Sequence, residues 1–288
     1  MRAAGVVAGV VALALVAGAV FAVSQIDFFG LGDTDDEFCE AEVNGDVARL
    51  GLDQAENASL IAAIGVRRDL PARAVSIALA TAFQESKILN LDYGDRDSLG
   101  LFQQRPSQGW GTPEQIRDPE YATETFFDAL VEVDGYEDMP IHDAAQAVQR
   151  SADGSAYAVH EVPARVLASA LTGWSPAAFA CEVEEPDDSG QRAGADGLTP
   201  NARDVVDDVA EVFGGVGGSA TRDGQTVTFD APESRRHGWV LAQYLVGNAE
   251  RLEIRSVAYE RKLWTAAASD EGWQRSDDRL DRVRVDVA

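Results

Sequence analysis

The sequence predicts a mainly α-helical domain followed by a small α+β domain, with a transmembrane helix at the N-terminus. Three patterns support this fold class. An uncharged apolar run covers residues 3–23, helical patterns with short connections fill residues 48–173, and alternating strand-like patterns occur only after Cys181. A chain of 288 residues is long enough for one large domain or two modest domains with hydrophobic cores.

The N-terminal apolar run has the length of a membrane-spanning helix, which needs roughly 20 apolar residues. A cleavable signal peptide has a shorter apolar core followed by small residues, and residues 20–22 leave cleavage open. We therefore expect residues 1–24 to be a transmembrane anchor in the cytoplasmic membrane or a signal segment, and residues 25–38 to be an acidic spacer. With Arg2 on the cytoplasmic side, the protein is single-pass with its domains outside the cytoplasm, or secreted after cleavage.

The formal net charge of −25 argues against two classes of partner. Nucleic-acid binding relies on Lys and Arg side chains that neutralise phosphates, so we expect no nucleic-acid partner. Adsorption to anionic lipid headgroups needs a polybasic patch and is disfavoured for the same reason.

The chain has two cysteines, Cys39 and Cys181. Outside the cytoplasm an even number of cysteines suggests a disulfide, and the alternative is two unpaired buried thiols. A bridge between them would enclose residues 39–181, which we expect to be one folded domain.

The domain at residues 39–181 is expected to be mostly helical. Pro71 stands at the first-turn position of an unbroken helical pattern that ends near residue 86, where its missing N–H has no cost. The further helical patterns are PEYATETFFDALVEV, IHDAAQAVQRS and VPARVLASALTG, the last ending at a glycine.

Residues 182–199 are rich in acidic residues, Gly, Pro and Ser, which is typical of a solvated linker. The α+β domain is expected at residues 200–288. Thr199 and Pro200 have the sequence of a helix N-terminus, and a second helix is predicted in SRRHGWVLAQYLVGNAERL. The strand-like segments are QTVTFDA, IRSVAYE, KLWTAA and RVRVDVA.

Glu85 lies at the end of the helix predicted over residues 71–86, on the same face as Ala78 and Ala82. Burial among small apolar side chains favours the protonated form of a carboxyl group, and the negative end of a helix acts in the same direction. A carboxyl group that stays protonated near neutral pH can serve as a general acid. The alternative is a surface glutamate paired with Arg73 or Lys87.

The segments that follow carry a family resemblance. The pattern QES…SLGLFQQ resembles the lysozyme-like lytic transglycosylase superfamily, whose members have Glu-Ser at a helix end followed by a Gly-Leu-(Met/Phe)-Gln segment. The longer strings SLGLFQQRPSQGWGTPEQI and AAQAVQRSADGSAYA are similar to an actinobacterial cell-envelope branch of that superfamily. The resemblance covers about residues 48–173.

The resemblance implies a protein that acts on peptidoglycan glycan strands without a cofactor. Glu85 corresponds to the catalytic acid, which protonates the β-1,4 glycosidic oxygen and then takes the proton of the sugar's 6-hydroxyl as a 1,6-anhydro ring closes. The substrate-binding residues implied are Ser86, Gly100, Leu101, Phe102, Gln103, Gln104 and Tyr157. The alternative function is a non-catalytic peptidoglycan-binding or scaffold protein of the same fold.

Hydrolysis instead of transglycosylation would need a second carboxylate. The candidates are Asp92, Asp95 and Asp97, for which the alternative is a solvated turn that stabilises the loop. Trp110, Tyr121, Gln146 and Gln149 are either sugar contacts or ordinary core and cleft structure.

No metal site is expected. His142, His160 and His237 are far apart in sequence and have no carboxylate at ligand spacing. The C-terminal segment resembles zinc D-Ala-D-Ala peptidases, but Thr221, Thr228 and Arg284 stand at the presumed ligand positions, and Asp281 at that of the catalytic carboxylate. The resemblance therefore implies a peptidase-like domain that lacks the metal ligands.

Overall fold

The computed structural model describes residues 37–149, 155–188, 190–214, 218–220, 224–229 and 234–288. The predicted membrane segment at residues 1–24 and nearly all of the acidic spacer lie outside these residues. Among the helices that are described, none has both the length and the apolar character needed to cross a membrane.

The helices and strands are named here in chain order. They are β1 (Phe38–Val43), β2 (Asp46–Leu50), α1 (Leu52–Arg67), α2 (Ala72–Ser86), α3 (Pro113–Ile116), α4 (Pro119–Val131), α5 (Ile141–Gln149), α6 (Ser155–Ala158), α7 (Glu161–Leu171), β3 (Phe179–Glu182), α8 (Pro200–Val212), β4 (Gly218–Ala220), β5 (Thr226–Phe229), α9 (Arg235–Gly247), β6 (Ile254–Thr265) and β7 (Gln274–Val287). Short 3-10 helices span Pro106–Gln108 and Ala266–Glu271.

Strands β1, β2 and β3 form an antiparallel sheet in the order β2-β1-β3. Strands β1 and β2 are joined by Asn44 and Gly45, which have φ angles of 56° and 90°. An Asn-Gly pair with both residues at positive φ is the preferred two-residue turn of a hairpin. The hairpin is closed on its other side by β3, where Cys39 lies opposite Cys181.

The predicted fold class is therefore wrong. A three-stranded sheet lies in the part of the chain that was predicted to be mostly helical, and a second sheet, in the order β4-β5-β7-β6, lies near the C-terminus. The first sheet was missed although its Asn-Gly turn was a visible hairpin signal. Its third strand, β3, pairs with β1 across a sequence separation of 142 at Cys39 and Cys181, and a pairing between such distant segments is not visible in a local pattern.

The predicted disulfide between Cys39 and Cys181 is confirmed. Both residues are buried, and the bridge joins strands β1 and β3 across a sequence separation of 142.

Helices α1 and α2 form the centre of the helical part. Their contact is close because Gly65 has no side chain: a Cβ atom there would lie 2.6 Å from Cγ2 of Val75. Most side chains of α2 are buried, from Ala74 to Phe83. Helix α2 begins after Pro71, as predicted, and packs against α7 and α5 as well as α1.

Helix α9 connects the two sheets. It packs against β6 of the second sheet and also against β3, α1 and α7. Gln243 is completely buried at this contact. Its Oε1 accepts hydrogen bonds from the backbone N–H groups of Ala178 and Phe179, both at 3.1 Å, and its Nε2 donates to the carbonyl of Ala170 at 2.6 Å. Residues 37–288 accordingly form one compact unit.

Replacing Gln243 by Leu is expected to lower the free energy of unfolding by about 3 kcal/mol, because buried backbone groups of Ala178, Phe179 and Ala170 lose their partners. Urea unfolding followed by far-UV circular dichroism measures the change. The control is Gln108→Leu, a replacement at an exposed position, which should leave the unfolding midpoint nearly unchanged. Equal stability of Gln243→Leu and wild type would contradict this account of the contact.

Candidate functional site

Glu85 lies in the last turn of α2, where the helix ends sharply. The following residues Lys87 and Ile88 have left-handed φ angles of 57° and 58°, and the N–H of Ile88 returns to the carbonyl of Ala82 at 3.0 Å. This left-handed end turns the chain away from the helix axis. The side chain of Glu85 remains half-buried at that end.

Tyr157 provides the direct partner of Glu85. It belongs to the short helix α6, 72 residues away in sequence, and its phenol O–H donates to Oε1 of Glu85 at 2.6 Å. The ring of Tyr157 is only 2% exposed. Because the ring is buried, the hydroxyl group is held in place and fixes one oxygen of the carboxyl group.

The loop with the sequence SLGLFQQ is attached to the end of α2 by Ser86. The Ser86 hydroxyl donates to the carbonyls of Leu101 at 2.7 Å and Ala82 at 3.1 Å. The next carbonyl, that of Phe102, accepts a hydrogen bond of 2.7 Å from Nε2 of Gln149. Side chains from α2 and α5 thus hold the backbone of this loop beside Glu85.

Leu101 and Phe102 are completely buried, and Phe102 stacks on Phe126 with ring centroids 4.5 Å apart. Neither residue is accessible to a ligand in this conformation, and both carbonyls accept hydrogen bonds from within the protein. Gly100 is required by the turn, since its φ is 75° and a Cβ atom would lie 2.5 Å from the carbonyl oxygen of Ile116.

The two glutamines of the loop differ in their surroundings. Gln104 is 1% exposed and donates to the carbonyl of Ala122 at 3.0 Å, while its buried Oε1 has no partner among the described residues. Gln103 is half-buried and donates to the carbonyls of Tyr93 and Gly100, both at 3.2 Å. Of the two side chains, Gln103 is therefore the one accessible from solvent.

Of the three aspartates near this loop, Asp97 has a structural role. Asp97 accepts hydrogen bonds from the backbone N–H of Ser107 at 2.8 Å, from its hydroxyl at 3.1 Å and from Nε of Arg105 at 2.9 Å. These bonds from Ser107 and Arg105 hold the pKa of Asp97 well below its usual range. Asp92 and Asp95 are exposed, and Asp95 forms a long ion pair of 3.9 Å with Arg96.

His160 contacts Phe83 and Gln84 in the last turns of α2, and the sequence did not indicate it as a residue of this region. Its ring stacks on Phe83 with centroids 5.5 Å apart, and its Nε2 lies 3.1 Å from Oε1 of Gln84. Burial lowers the pKa of His160, so the ring is neutral at neutral pH. The sequence signal that could have indicated His160 was its position three residues after Tyr157.

Other proposed sugar contacts serve the structure as well. The Tyr121 hydroxyl donates to the carbonyl of Trp110 at 3.3 Å, and Trp110 packs against the core. Gln149 holds the loop as described above, and Gln146 is half-buried on α5.

The residues that the structure describes contain no group of three His, Cys, Asp or Glu side chains able to hold a metal ion. Thr221 lies outside those residues. Thr228 on β5 lies opposite Arg284 on β7, so the strand register brings these two presumed ligand positions together. Neither side chain is of a type that binds zinc in such sites.

Comparison with known proteins found a similarity for the C-terminal part of the chain. A family model described as "VldE, C-terminal domain" matches residues 194–283, which include α8, α9 and most of the second sheet. No curated protein matches the chain. The matched range does not include Glu85, Tyr157 or the SLGLFQQ loop. The match therefore shows only that residues 194–283 are similar to the VldE C-terminal domain.

Proposed function

We propose that this protein cleaves the β-1,4 glycosidic bonds of peptidoglycan as a lytic transglycosylase, with Glu85 as its acid and base. The observation that carries the proposal is the 2.6 Å hydrogen bond from Tyr157 to Glu85. This bond connects the Glu-Ser motif at the end of α2 with the SAYA segment that contains Tyr157, and the sequence resemblance rests on both. Its acceptor is the carboxyl group that a transglycosylase needs as its acid and base.

The reaction needs one carboxyl group in two protonation states. Protonated Glu85 gives its proton to the glycosidic oxygen, the bond from that oxygen to C1 of N-acetylmuramic acid breaks, and positive charge develops on the sugar. The Glu85 carboxylate then takes the proton of the 6-hydroxyl while O6 bonds to C1, which closes the 1,6-anhydro ring and restores the acid. A phenol hydroxyl both donates and accepts hydrogen bonds, so Tyr157 can hold Glu85 in either state.

The state of Asp97 argues against hydrolysis with this residue as the second carboxylate. Hydrolysis requires a second carboxylate that acts as a nucleophile or activates water. Both oxygens of Asp97 are occupied by Arg105 and Ser107, and the carboxylate is committed to fixing the loop.

The disulfide supports a location outside the cytoplasm, where peptidoglycan is found, because such bonds persist in oxidising compartments.

For the C-terminal part we propose a peptidase-like domain without peptidase chemistry. It is supported by Thr228 and Arg284, which stand together on β5 and β7 and supply no metal ligand.

The proposal is tested by incubating the purified full-length chain with peptidoglycan and analysing the released fragments by mass spectrometry. Fragments with 1,6-anhydromuramyl ends are the expected product. Reducing ends formed by hydrolysis would assign the protein as a muramidase instead. Binding to sedimented peptidoglycan without any release would assign it as a non-catalytic glycan-binding protein.

Replacing Tyr157 by Phe is expected to lower the rate of fragment release by roughly ten- to a hundredfold, because Glu85 loses the hydrogen bond that positions it. Release of soluble fragments over time measures the rate. Tyr136→Phe removes a phenol hydroxyl elsewhere in the same half of the chain and should keep the wild-type rate. A Tyr157→Phe variant as fast as wild type would remove Tyr157 from the mechanism.

A further inference from the structure

A surface depression of about 470 Å³ collects positive charge in a strongly acidic protein. The chain has 24 Lys and Arg residues against 49 Asp and Glu. Five of these cations line the depression, namely Arg235, Arg261, Lys262, Arg275 and Arg279. No residue of the Glu85 site lines it, so it is a separate feature of the molecule.

Glu260 is the one carboxylate among the described residues that line the depression, and its hydrogen-bonding capacity is used. Its Oε1 accepts from Nε of Arg235 at 2.5 Å, and its Oε2 accepts from the same guanidinium at 2.8 Å and from the indole N–H of Trp239 at 3.0 Å. Arg235 neutralises Glu260 in this bidentate pair. Glu260 also interacts electrostatically with Arg279, so the described lining of the depression keeps five cations against one carboxylate.

The four cations other than Arg235 have almost no protein partners. Within the part of the chain that the structure describes, the guanidinium groups of Arg261 and Arg275 make no hydrogen bond and no ion pair. Arg279 makes no hydrogen bond to the described residues either, and its interaction with Glu260 is electrostatic. Lys262 donates to the carbonyl of Trp273 at 3.3 Å. Arg261, Arg275 and Arg279 are exposed, so their donors are available to a ligand.

The local backbone keeps the cations together at a cost in stability. Lys262 on β6 lies directly opposite Arg275 on β7, and like charges in opposing positions of a sheet repel each other. Glu260 has a left-handed φ of 54°, and the strand register shifts on both sides of it. Such bulges redirect side chains and are frequent beside functional sites. A bound anion would remove the repulsion.

We propose that this depression binds a small ligand that carries a diphosphate group. Planar guanidinium groups match the oxygen geometry of phosphate. A ligand's diphosphate group carries roughly −1 on its inner phosphate and roughly −1.5 to −2 on its terminal phosphate. Two adjacent phosphates therefore balance most of the charge of four cations. The volume is within the range of small-molecule sites, and its concave shape suits a compact anion better than a flat membrane surface. The proposal goes beyond the glycan-cleaving function and does not rest on it.

Calorimetric titration of the full-length chain with inorganic pyrophosphate at low ionic strength tests the proposal. We expect saturable binding of one pyrophosphate per chain. Arg261→Gln, Arg275→Gln and Arg279→Gln should each weaken this binding about tenfold, because each removes a charged donor. The control Arg203→Gln removes the same charge from an exposed pair with Asp196 and should leave the affinity within about twofold.

The thermal unfolding midpoint of each variant shows whether it is folded. Absence of saturable binding by wild type, or an equal loss in Arg203→Gln and the three depression variants, would overturn the proposal. A parallel titration with tricarballylate, a compact tricarboxylate, tests the assigned chemistry. Equal affinity for tricarballylate and pyrophosphate would overturn the assignment of a diphosphate ligand.

Discussion

Replacing Glu85 by Gln is expected to lower the rate of glycan cleavage by roughly 10²–10⁴-fold, the usual contribution of a general acid or base. The amide has nearly the same shape and can still accept the hydrogen bond from Tyr157, so the fold should be preserved. It cannot give a proton to the glycosidic oxygen or take one from the 6-hydroxyl. The loss should therefore appear in the rate of cleavage and not in the binding of peptidoglycan.

The measurement is the initial rate of release of 1,6-anhydromuramyl fragments, with binding to sedimented peptidoglycan measured in parallel. Glu132→Gln is the matched control, because Glu132 is an exposed glutamate that also lies at the C-terminal end of a helix, α4. It should keep the wild-type rate. If Glu85→Gln kept more than a tenth of that rate while folded, Glu85 would not be the acid.

Removing the disulfide by the double replacement Cys39→Ser and Cys181→Ser is expected to lower the free energy of unfolding by roughly 4–5 kcal/mol. The physical reason lies in the unfolded chain, where the bridge restricts a loop with a sequence separation of 142. Two buried hydroxyl groups would also replace the sulfur atoms in the sheet formed by β1 and β3.

Urea unfolding of the double variant, beside oxidised and reduced wild type, measures this effect. Reduced wild type and the double variant should unfold at similar urea concentrations, well below the oxidised protein. The reductant should not change the midpoint of the double variant, which is the control for other effects of the reductant. If oxidised and reduced wild type unfolded at the same midpoint, the bridge would contribute nothing to stability.

The parts of the structure that follow from short stretches of sequence were predictable. A helix was predicted over residues 71–86 with Pro71 in its first turn, and α2 spans Ala72–Ser86 with Pro71 as its N-cap. The family resemblance suggested Tyr157 as a residue near the glutamate, and the two side chains are hydrogen-bonded. The pair of cysteines predicted the disulfide because the count and the expected compartment allowed few alternatives.

The remaining features depend on contacts between distant segments. Apolar residues of a motif can line a cleft or anchor it, and the sequence could not show that Leu101 and Phe102 are buried anchors. Strand β3 becomes recognisable as a strand only when β1 lies beside it. The net charge of the chain likewise concealed the cluster of cations, because pairing of β6 with β7 brings Lys262 opposite Arg275.

The position of α9 has a thermodynamic consequence. Arg235 and Trp239 of the depression lie in its first half. Gln243 binds β3 and the end of α7, and α7 packs against α2, whose last turn carries Glu85. The depression and the Glu85 site therefore belong to one compact unit. An anion that binds the native chain shifts the folding equilibrium of that whole unit by mass action. A higher concentration of that anion would then lower the fraction of protein that is unfolded.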